Sequence, residues 1–222
     1  DSCSKIFGPA IILIGDSHAM NIYNSIASST KNNFFVGVVK GGCRPENMSK
    51  NCQYIGFNDF IKTNSSDIRS LIFHQSGSYL LEDGRGRPDG DIFKEDSTFF
   101  INKKGFESTL TYLHNLDIDV TWLGPFIEGR VNMRDVKNFK NGFKINPKSI
   151  EVFNYLDDYL INSILSNNIS YVSLINILEM KDDFLKIDDC ITFANVDHFS
   201  KCGETIIGTR INKANLQSLE SN

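Results

Sequence analysis

The chain has 222 residues, of which 41% are hydrophobic and 23% are charged. These fractions are typical of a globular protein and exclude a disordered, collagen-like or coiled-coil chain. Lysine and arginine number 23 and aspartate and glutamate 27, so the net charge is −4. A mildly acidic chain has no overall electrostatic attraction to nucleic acid, and we expect no nucleic-acid partner.

The ends and the apolar segments of the chain bear on its cellular context. No apolar run approaches the roughly 20 residues that a membrane-spanning helix needs. The chain begins without Met, and the opening segment 1–5 lacks the apolar core of a signal peptide. We therefore expect residues 1–222 to form a single domain that has been excised from a longer chain.

The chain contains five cysteines, and none of them forms a Cys-x-x-Cys motif: Cys3, Cys43, Cys52, Cys190 and Cys202. This spacing disfavours a zinc ribbon or a thioredoxin-like site. Cys43 and Cys52 are close in sequence, as are Cys190 and Cys202, so each interval can close a small disulfide loop. We favour two disulfides in an oxidising compartment over reduced thiols in the core.

The first part of the chain alternates between strand and helix patterns. The apolar segment 9–14 predicts a first strand, and the amphipathic segment 18–29 predicts the helix that follows it. A second strand is predicted at 34–39, a second helix at 54–61 and a third strand at 70–73.

The alternation continues after a polar segment rich in glycine and proline, 83–90, which predicts a loop. A helix is expected at 106–116 and a fourth strand at 120–123. The basic segment 128–146 predicts a surface loop. Pro147 then suits the first turn of a long helix that extends to about 165.

A fifth strand is predicted at 170–174, and Ser200 is a suitable cap for a last helix. The resulting order predicts an α/β fold in which a five-stranded parallel sheet carries helices on both faces. Ligands of such sheets bind at the carboxyl ends of the strands. That rule directs attention to Gly15, His74 and the loop around His198.

The segment Gly15-Asp16-Ser17-His18-Ala19 follows the first predicted strand directly and opens the first helix. A serine at such a tight turn is presented at the edge of the sheet, and its backbone N–H lies where a helix N-terminus stabilises negative charge. These are the properties of an acyl-transfer nucleophile. The alternative is that Ser17 only caps the helix.

A second candidate lies near the other end of the chain, at Val196-Asp197-His198-Phe199-Ser200. Neutral imidazole is the usual base that removes the proton of a serine hydroxyl. His198 can therefore serve Ser17 if both lie at the same edge of the sheet.

These motifs together resemble the SGNH (GDSL-like) hydrolases: GDSHA after the first strand, the pair Gly41-Gly42 after the second, and His-Phe-Ser-x-x-Gly before the last helix. Gly-Cys-Arg-Pro at 42–45 narrows the resemblance to SGNH domains fused to bacterial acyltransferase-3 membrane proteins. The resemblance spans Cys3 to Gly203. It implies a three-layer α/β/α, flavodoxin-like SGNH fold and the O-acetylation of cell-surface polysaccharides such as lipopolysaccharide O-antigen.

The resemblance also implies a context for the domain. It implies an acetyl donor delivered by an attached membrane acyltransferase domain, a glycan acceptor, and a position as the C-terminal periplasmic domain of a bacterial inner-membrane protein. We expect the isolated domain to be a monomer without a cofactor. We expect no metal, because the four histidines lack ligand spacing.

Residue roles follow from the same resemblance. Ser17 matches the family nucleophile and His198 the general base, while the backbone N–H groups of Ser17 and Gly42 match two donors of the oxyanion hole. Asp16 matches the aspartate of the motif, and we expect its side chain to shape the turn by hydrogen bonds. His18 stands where GDSL proteins carry leucine, and either lines the site or packs in the core.

Two positions depart from the family pattern. The family carries an aspartate three residues before the histidine, and this chain has Asn195 there. The partner of His198 is therefore open between Asn195, Asp197 and no residue at all. The family asparagine after the third strand is also absent from 73–79, where Gln75 can supply an amide donor instead.

Two rival functions use the same residues. Water can replace the sugar as acceptor, which would make the protein a carbohydrate or lipid acetylesterase. The departures at Asn195 and in the third-strand loop also suit a catalytically weakened, glycan-binding SGNH domain.

Overall fold

The fold is described from a computed structural model that covers residues 2–29, 34–48, 50–87, 91–137, 142–164 and 169–214. Its strands are β1 (Ala10–Gly15), β2 (Phe35–Val39), β3 (Ile68–His74), β4 (Leu81–Asp83), β5 (Phe99–Ile101), β6 (Val120–Leu123), β7 (Ser170–Val172), β8 (Lys186–Ile187) and β9 (Cys190–Ile191). Its helices are α1 (Ser2–Phe7), α2 (Ser17–Ser29), α3 (Phe57–Thr63), α4 (Lys103–His114), α5 (Met133–Lys137), α6 (Pro147–Ile164), α7 (Leu174–Leu178) and α8 (Lys201–Lys213).

The central sheet has five parallel strands in the order β2-β1-β3-β6-β7. Every residue of β1 is buried, which explains its continuous apolar sequence, since a strand covered on both faces has no polar side. The predicted α/β fold with a five-stranded parallel sheet is confirmed.

The strand register shows that helices cover both faces of the sheet. Gly37 of β2 pairs with Leu13 of β1, and a side chain on Gly37 would meet the ring of Tyr23 in α2 at 2.9 Å. Helix α2 therefore lies on the face of Leu13. Trp122 of β6 belongs to the opposite face, and its ring contacts Phe106 of α4. The sheet is thus the middle of three layers.

The last helix completes the layer on the α2 side. Gly208 of α8 lies so close to α2 that an added Cβ would be 2.1 Å from the carbonyl oxygen of Ser25. This close packing of two helix backbones sets the position of the chain segment that leads into α8.

One element of the structure was not predicted, and one predicted loop differs from the structure. Residues 81–83 pair with 99–101 in the antiparallel hairpin of β4 and β5, whose strands have too few residues for a strand period to be visible. The predicted loop at 83–90 starts with the last residue of β4 and lies between these two strands. The predicted surface loop at 128–146 is wrong in its described parts: Glu128, Val136 and Ile145 are buried, and α5 lies within it. Residues 88–90 and 138–141 of these two segments lie outside the described residues.

The structure contains two disulfides, Cys43–Cys52 and Cys190–Cys202, as the cysteine spacing indicated. The first closes the loop after β2, and the second ties β9 to the first turn of α8. Cys3 is exposed and not bridged. In the covered part of the chain, no helix is long and apolar enough to cross a membrane.

Candidate active site

The turn that carries Ser17 is pressed against the neighbouring strand. A side chain on Gly15 would place its Cβ 1.8 Å from the carbonyl oxygen of His74 and 2.5 Å from the Cβ of Ala19. Only glycine fits between these atoms. The close contact brings the start of α2 and the end of β3 together at the carboxyl edge of the sheet.

Asp16 holds this turn through both of its carboxylate oxygens. Its Oδ1 accepts a hydrogen bond from the N–H of His18 at 2.9 Å, and its Oδ2 accepts one from the N–H of Ser76 at 3.0 Å. The first bond is that of a helix cap, so Asp16 occupies the capping position that the sequence analysis considered for Ser17. The second bond ties the turn to the loop after β3.

Ser17 is consequently the first residue of α2 and is free of a capping role. Its hydroxyl makes no hydrogen bond within the described chain, to His198 or otherwise, and the residue is partly exposed. Its backbone N–H belongs to the first turn of a 13-residue helix, where N–H groups lack helical partners and attract negative charge.

The glycine loop after β2 lies beside Ser17. A Cβ on Gly41 would be 3.8 Å from the Cβ of Ser17. Gly42 has a φ of +74°, a backbone conformation that favours glycine, and no atom lies within 4 Å of the position of a Cβ there. The following residue, Cys43, anchors the loop through its disulfide.

Gln75 directly follows β3. Its two neighbours in sequence, His74 and Ser76, both contact the turn that carries Ser17. Its side chain is 1% exposed, and neither its Nε2 nor its Oε1 has a hydrogen-bond partner in the part of the chain that the structure describes. A buried amide without a partner costs about 1–3 kcal/mol. Such a group is suited to bind an atom supplied by a ligand.

His198 reaches the same edge because its loop is anchored to α2. The N–H of Phe199 donates to the Oδ1 of Asn21 at 3.2 Å, and Asn21 donates from its Nδ2 to Glu204 of α8 at 2.8 Å. Asn21 lies one helical turn after Ser17. The loop of His198 is therefore positioned by the helix that begins with the serine.

Two side chains contact the imidazole of His198, at different distances. Asp197 places its Oδ1 2.8 Å from the Nδ1 of His198, whereas the side-chain atoms of Asn195 are 3.2 and 3.3 Å from the same nitrogen. Asn195 Oδ1 also accepts the N–H groups of Asp197 and His198, at 3.0 and 2.7 Å. Asn195 thus builds the turn that lets two adjacent side chains meet.

The charge of Asp197 is stabilised by two histidines. Burial would raise the pKa of its carboxyl group, but the nearby ring of His18 and the hydrogen bond to His198 outweigh this effect and hold the pKa well below its usual range. Asp197 is therefore a carboxylate at neutral pH, as an imidazole-orienting group must be.

A buried polar cluster beneath this pair contains His18, which the sequence analysis considered, and Glu128, which it missed. His18 is 2% exposed and stacks on Phe126 with a centroid distance of 4.7 Å. Glu128 is fully buried and accepts hydrogen bonds from Ser76 Oγ at 2.9 Å and from Arg130 Nε at 2.6 Å. The one available signal for Glu128 was its position shortly after the fourth predicted strand, at the edge where ligands bind.

The histidines differ in their surroundings. His74 is fully buried, its Nδ1 lies 2.9 Å from the carbonyl oxygen of Leu123, and burial lowers its pKa to about 4. His18, Asp197 and His198 bring ligand-capable atoms within 4.8 Å of one another in the described residues, a group that can hold a metal ion. The Asp197–His198 distance is that of a hydrogen bond, so we interpret these two residues as a hydrogen-bonded pair, with the His18 ring 3.6 Å from Asp197. The expected lack of a metal stays a prediction.

The chain was compared with protein-family models, with curated protein sequences and with solved structures. A family model described as "SGNH domain (fused to AT3 domains)" matches residues 2–213. No curated protein sequence matches the chain. The periplasmic domain of a lipopolysaccharide acetyltransferase from Salmonella ser. Paratyphi A has a TM-score of 0.63 and 17% identity, over 92% of this chain and 82% of that chain.

Two further solved structures share the fold. A GDSL-like lipase from Bacteroides thetaiotaomicron has a TM-score of 0.58 and 11% identity, over 94% of this chain and 88% of that chain. Est24, a carbohydrate acetylesterase from Sinorhizobium meliloti, has a TM-score of 0.50 and 10% identity, over 95% and 99%. The chain belongs to the family of SGNH domains described as fused to AT3 domains, as its sequence motifs indicated.

Proposed function

We propose that this chain is an O-acetyltransferase domain that moves an acetyl group through an acyl-enzyme on Ser17 to a hydroxyl group of a cell-surface polysaccharide. The observation that carries the proposal is the anchoring of the Asp197–His198 pair, through Asn21, to the helix that begins with Ser17. A nucleophile and an oriented base on one rigid support are the requirements of serine acyl transfer.

The chemistry follows from the roles of these groups. Ser17 Oγ attacks the acetyl carbonyl while the Nε2 of His198 takes its proton, and Asp197 accepts the Nδ1–H of the resulting imidazolium. The N–H groups of Ser17 and Gly42 and the amide of Gln75 stabilise the oxyanion. The intermediate expels the donor's alkoxide or equivalent leaving group, which takes the proton from His198.

The second half of the reaction repeats these steps with a new nucleophile. A sugar hydroxyl gives its proton to His198 as its oxygen attacks the acetyl carbon on Ser17. Collapse of the second tetrahedral intermediate releases the acetylated sugar and returns the proton to Ser17 Oγ. Atoms and protons balance over the two halves.

A second candidate function has water in place of the sugar. The His198 side chain is 30% exposed, so water reaches the base. This exposure favours a carbohydrate acetylesterase over a strictly shielded transferase. The carboxylate of Asp197 weakens the third candidate, a binding domain without catalysis, because that idea rested in part on the asparagine at 195.

The family context supports a setting for the reaction. We propose that residues 1–222 are a single domain at the C-terminal end of a longer chain, and that an attached AT3 membrane domain delivers the acetyl donor to it. Two disulfides suit an oxidising compartment such as the periplasm. We also propose that the isolated domain is a monomer.

Intact-mass spectrometry after incubation with 4-nitrophenyl acetate tests the proposal. We expect the wild-type protein to gain one acetyl group or to release 4-nitrophenol with turnover, and Ser17→Ala to do neither. Ser28→Ala, on the exposed side of the same helix, is the matched control and should behave like the wild type. Equal behaviour of the wild type and Ser17→Ala would overturn the serine mechanism.

The acceptor is tested separately. Adding a surface oligosaccharide stripped of its O-acetyl groups should yield an acetylated sugar that is absent with Ser17→Ala. Release of acetate alone, at a rate independent of the sugar, would instead establish the esterase alternative.

A further inference from the structure

His18 lies between two carboxylates. Its Nε2 is 3.6 Å from the Oδ2 of Asp197, and its Nδ1 is 3.9 Å from the Oε1 of Glu128. Its Nε2 is buried and has no hydrogen-bond partner among the described residues, because the distance to Asp197 is slightly too long for one. The ring thus faces a negative group at each of its nitrogens.

Basic and acidic side chains alternate in a series of contacts around His18. Arg130 contacts Glu128, Glu128 faces His18, His18 faces Asp197, and Asp197 binds His198. Glu128 is fully buried with Arg130 beside it, and Asp197 is partly buried with His198 beside it. A neutral His18 would leave the side of each carboxylate that faces its ring without a positive partner, whereas an imidazolium there is attracted to both.

We propose that His18 is a positioning residue for the reaction: an imidazolium anchored by Glu128 that holds the carboxylate of Asp197 against His198. This inference rests on the proposed function, in which His198 is the base. It assigns a role to the histidine that stands where GDSL proteins carry leucine.

Asp197 needs such a support because of its place in the chain. It precedes His198 directly and lies on a partly exposed turn, so its side chain has several rotamers available. One oxygen faces His198 and the other faces His18, and two attractions in different directions define the plane of the carboxylate. A fixed acceptor keeps the imidazole in one tautomer and one orientation.

His18 is itself held rigidly. Its ring stacks on Phe126 and meets the ring of His198 edge-on, with a centroid distance of 5.1 Å. Glu128, its anchor, is bound by Ser76, whose N–H binds the Asp16 carboxylate in the nucleophile turn. The network therefore connects the orientation of the base to the position of the nucleophile.

Three carboxylates that face His18 favour its charged form: Asp16 from its own turn, Glu128 from the segment after β6, and Asp197 from the loop before α8. The rings of His198, from the same loop, and of His74, from the end of β3, also face it, and a positive charge on either ring would disfavour the charged form of His18. Burial lowers the pKa of His18, but the attraction of Asp197, Glu128 and Asp16 outweighs it, so the pKa is raised above 6.5.

NMR titration of the histidine side chains tests the proposal without relying on catalysis. Long-range ¹H–¹⁵N spectra follow each ring, and the His18 signals are assigned by their loss in His18→Gln. We expect His18 to titrate above 6.5 in the wild type and at a lower pH in Asp197→Asn and in Glu128→Gln. A midpoint below 6.5 in the wild type, or no change in Asp197→Asn, would overturn the inference even if the enzyme is active.

A double-mutant cycle tests the effect on turnover. With 4-nitrophenyl acetate, His18→Gln should lower kcat by about tenfold in the wild-type background and by less than about twofold in the Asp197→Asn background. Equal factors in both backgrounds would mean that His18 does not act through Asp197. His114→Gln, on the exposed end of α4, is the control and should leave kcat unchanged.

Folding of the variants is checked by thermal unfolding. If His18→Gln does not fold, His18→Asn replaces it in the cycle, because asparagine keeps a donor in a smaller volume. If the wild type shows no turnover, the proposed function fails while the NMR titration still decides the role of His18.

Discussion

Asp197 and Asn195 both lie beside the Nδ1 of His198, and their different distances from this nitrogen indicate different roles. Asp197 is closer and carries a charge, while Asn195 is engaged by two backbone N–H groups. This difference supports the proposed role of Asp197 as the partner of His198.

Replacing Asp197 and Asn195 separately should show this division of roles. We expect Asp197→Asn to lower kcat for ester hydrolysis by roughly 10²- to 10⁴-fold, because the imidazolium loses its charged partner. Asn195→Ala keeps the carboxylate and loosens only the turn, so its loss should be smaller than that of Asp197→Asn. Steady-state kinetics on both variants checks the order, and the reverse order would assign the orienting role to Asn195.

Gln75 is the second residue whose role is decided by its surroundings. If its unpaired amide donates to the oxyanion, Gln75→Ala should lower kcat by about 10²- to 10³-fold with little change in KM. Stability should change little, because the packing lost with the buried side chain is offset by the removal of an amide without a partner. Kinetics and thermal unfolding measure both effects, with Gln75→Glu as a companion that keeps the size but removes the donor. Full activity of Gln75→Ala would exclude it from the oxyanion hole.

At the level of elements, the contact of α2 with α8 aligns the serine with the histidine. Ser17 begins α2, and the loop of His198 leads into α8, so a change in the spacing of the two helices changes the distance between the two proposed reacting groups. Glycine at 208 permits the close approach, because any side chain there meets the backbone of Ser25.

Gly208→Ala should therefore separate the helices. The added methyl group has no space, and we expect a loss of about 1–3 kcal/mol in the free energy of unfolding together with reduced turnover. Thr209→Ala, on the exposed side of the same helix, is the control and should change neither. Denaturant unfolding checks the prediction. A Gly208→Ala protein as stable as the wild type would show that α2 and α8 can move apart without a measurable loss of stability.

At the level of the whole molecule, the parallel sheet gathers distant residues. Ser17 and His198 are separated by most of the chain, yet both lie at the carboxyl edge of the sheet. Ser17 comes soon after β1, and His198 lies in the loop that leads into α8. Parallel strands connected by crossover helices bring all their carboxyl ends to one side. Disulfides then fasten two of the loops at that side, after β2 and before α8.

The disulfide beside the histidine loop should matter for both stability and activity. Replacing Cys190 and Cys202 by serine should reduce the free energy of unfolding by about 2–4 kcal/mol, because the unfolded chain loses a constraint. Turnover should fall as well, since the bridge holds the start of α8. Cys3→Ser is the matched control, and Cys3 is exposed and unbridged. Unfolding curves without reductant test this, and an unchanged midpoint in the double variant would contradict it.

Much of the fold could be predicted from the sequence because its signals are local. The apolar runs that form β1 and β2, the Gly15–Ser17 turn and the cysteine intervals all lie within a few residues of one another. His198 and its sequence neighbours are a local signal too, because they directly precede Ser200, which caps α8. The hairpin of β4 and β5 was missed, because strands of three residues carry too little periodicity to be distinguished from loops.

By itself, the sequence determined the order of the five sheet strands and of the main helices between them, the family, and the two residues best suited to be nucleophile and base. Tertiary structure alone decided which carboxylate binds His198, that Asp16 rather than Ser17 caps α2, and that Glu128 is buried beside His18 instead of lying on a surface loop. The physical reason is that strand and helix signals arise from neighbouring residues. Hydrogen bonds and buried charges depend on the side chains that a distant part of the chain brings to the same place.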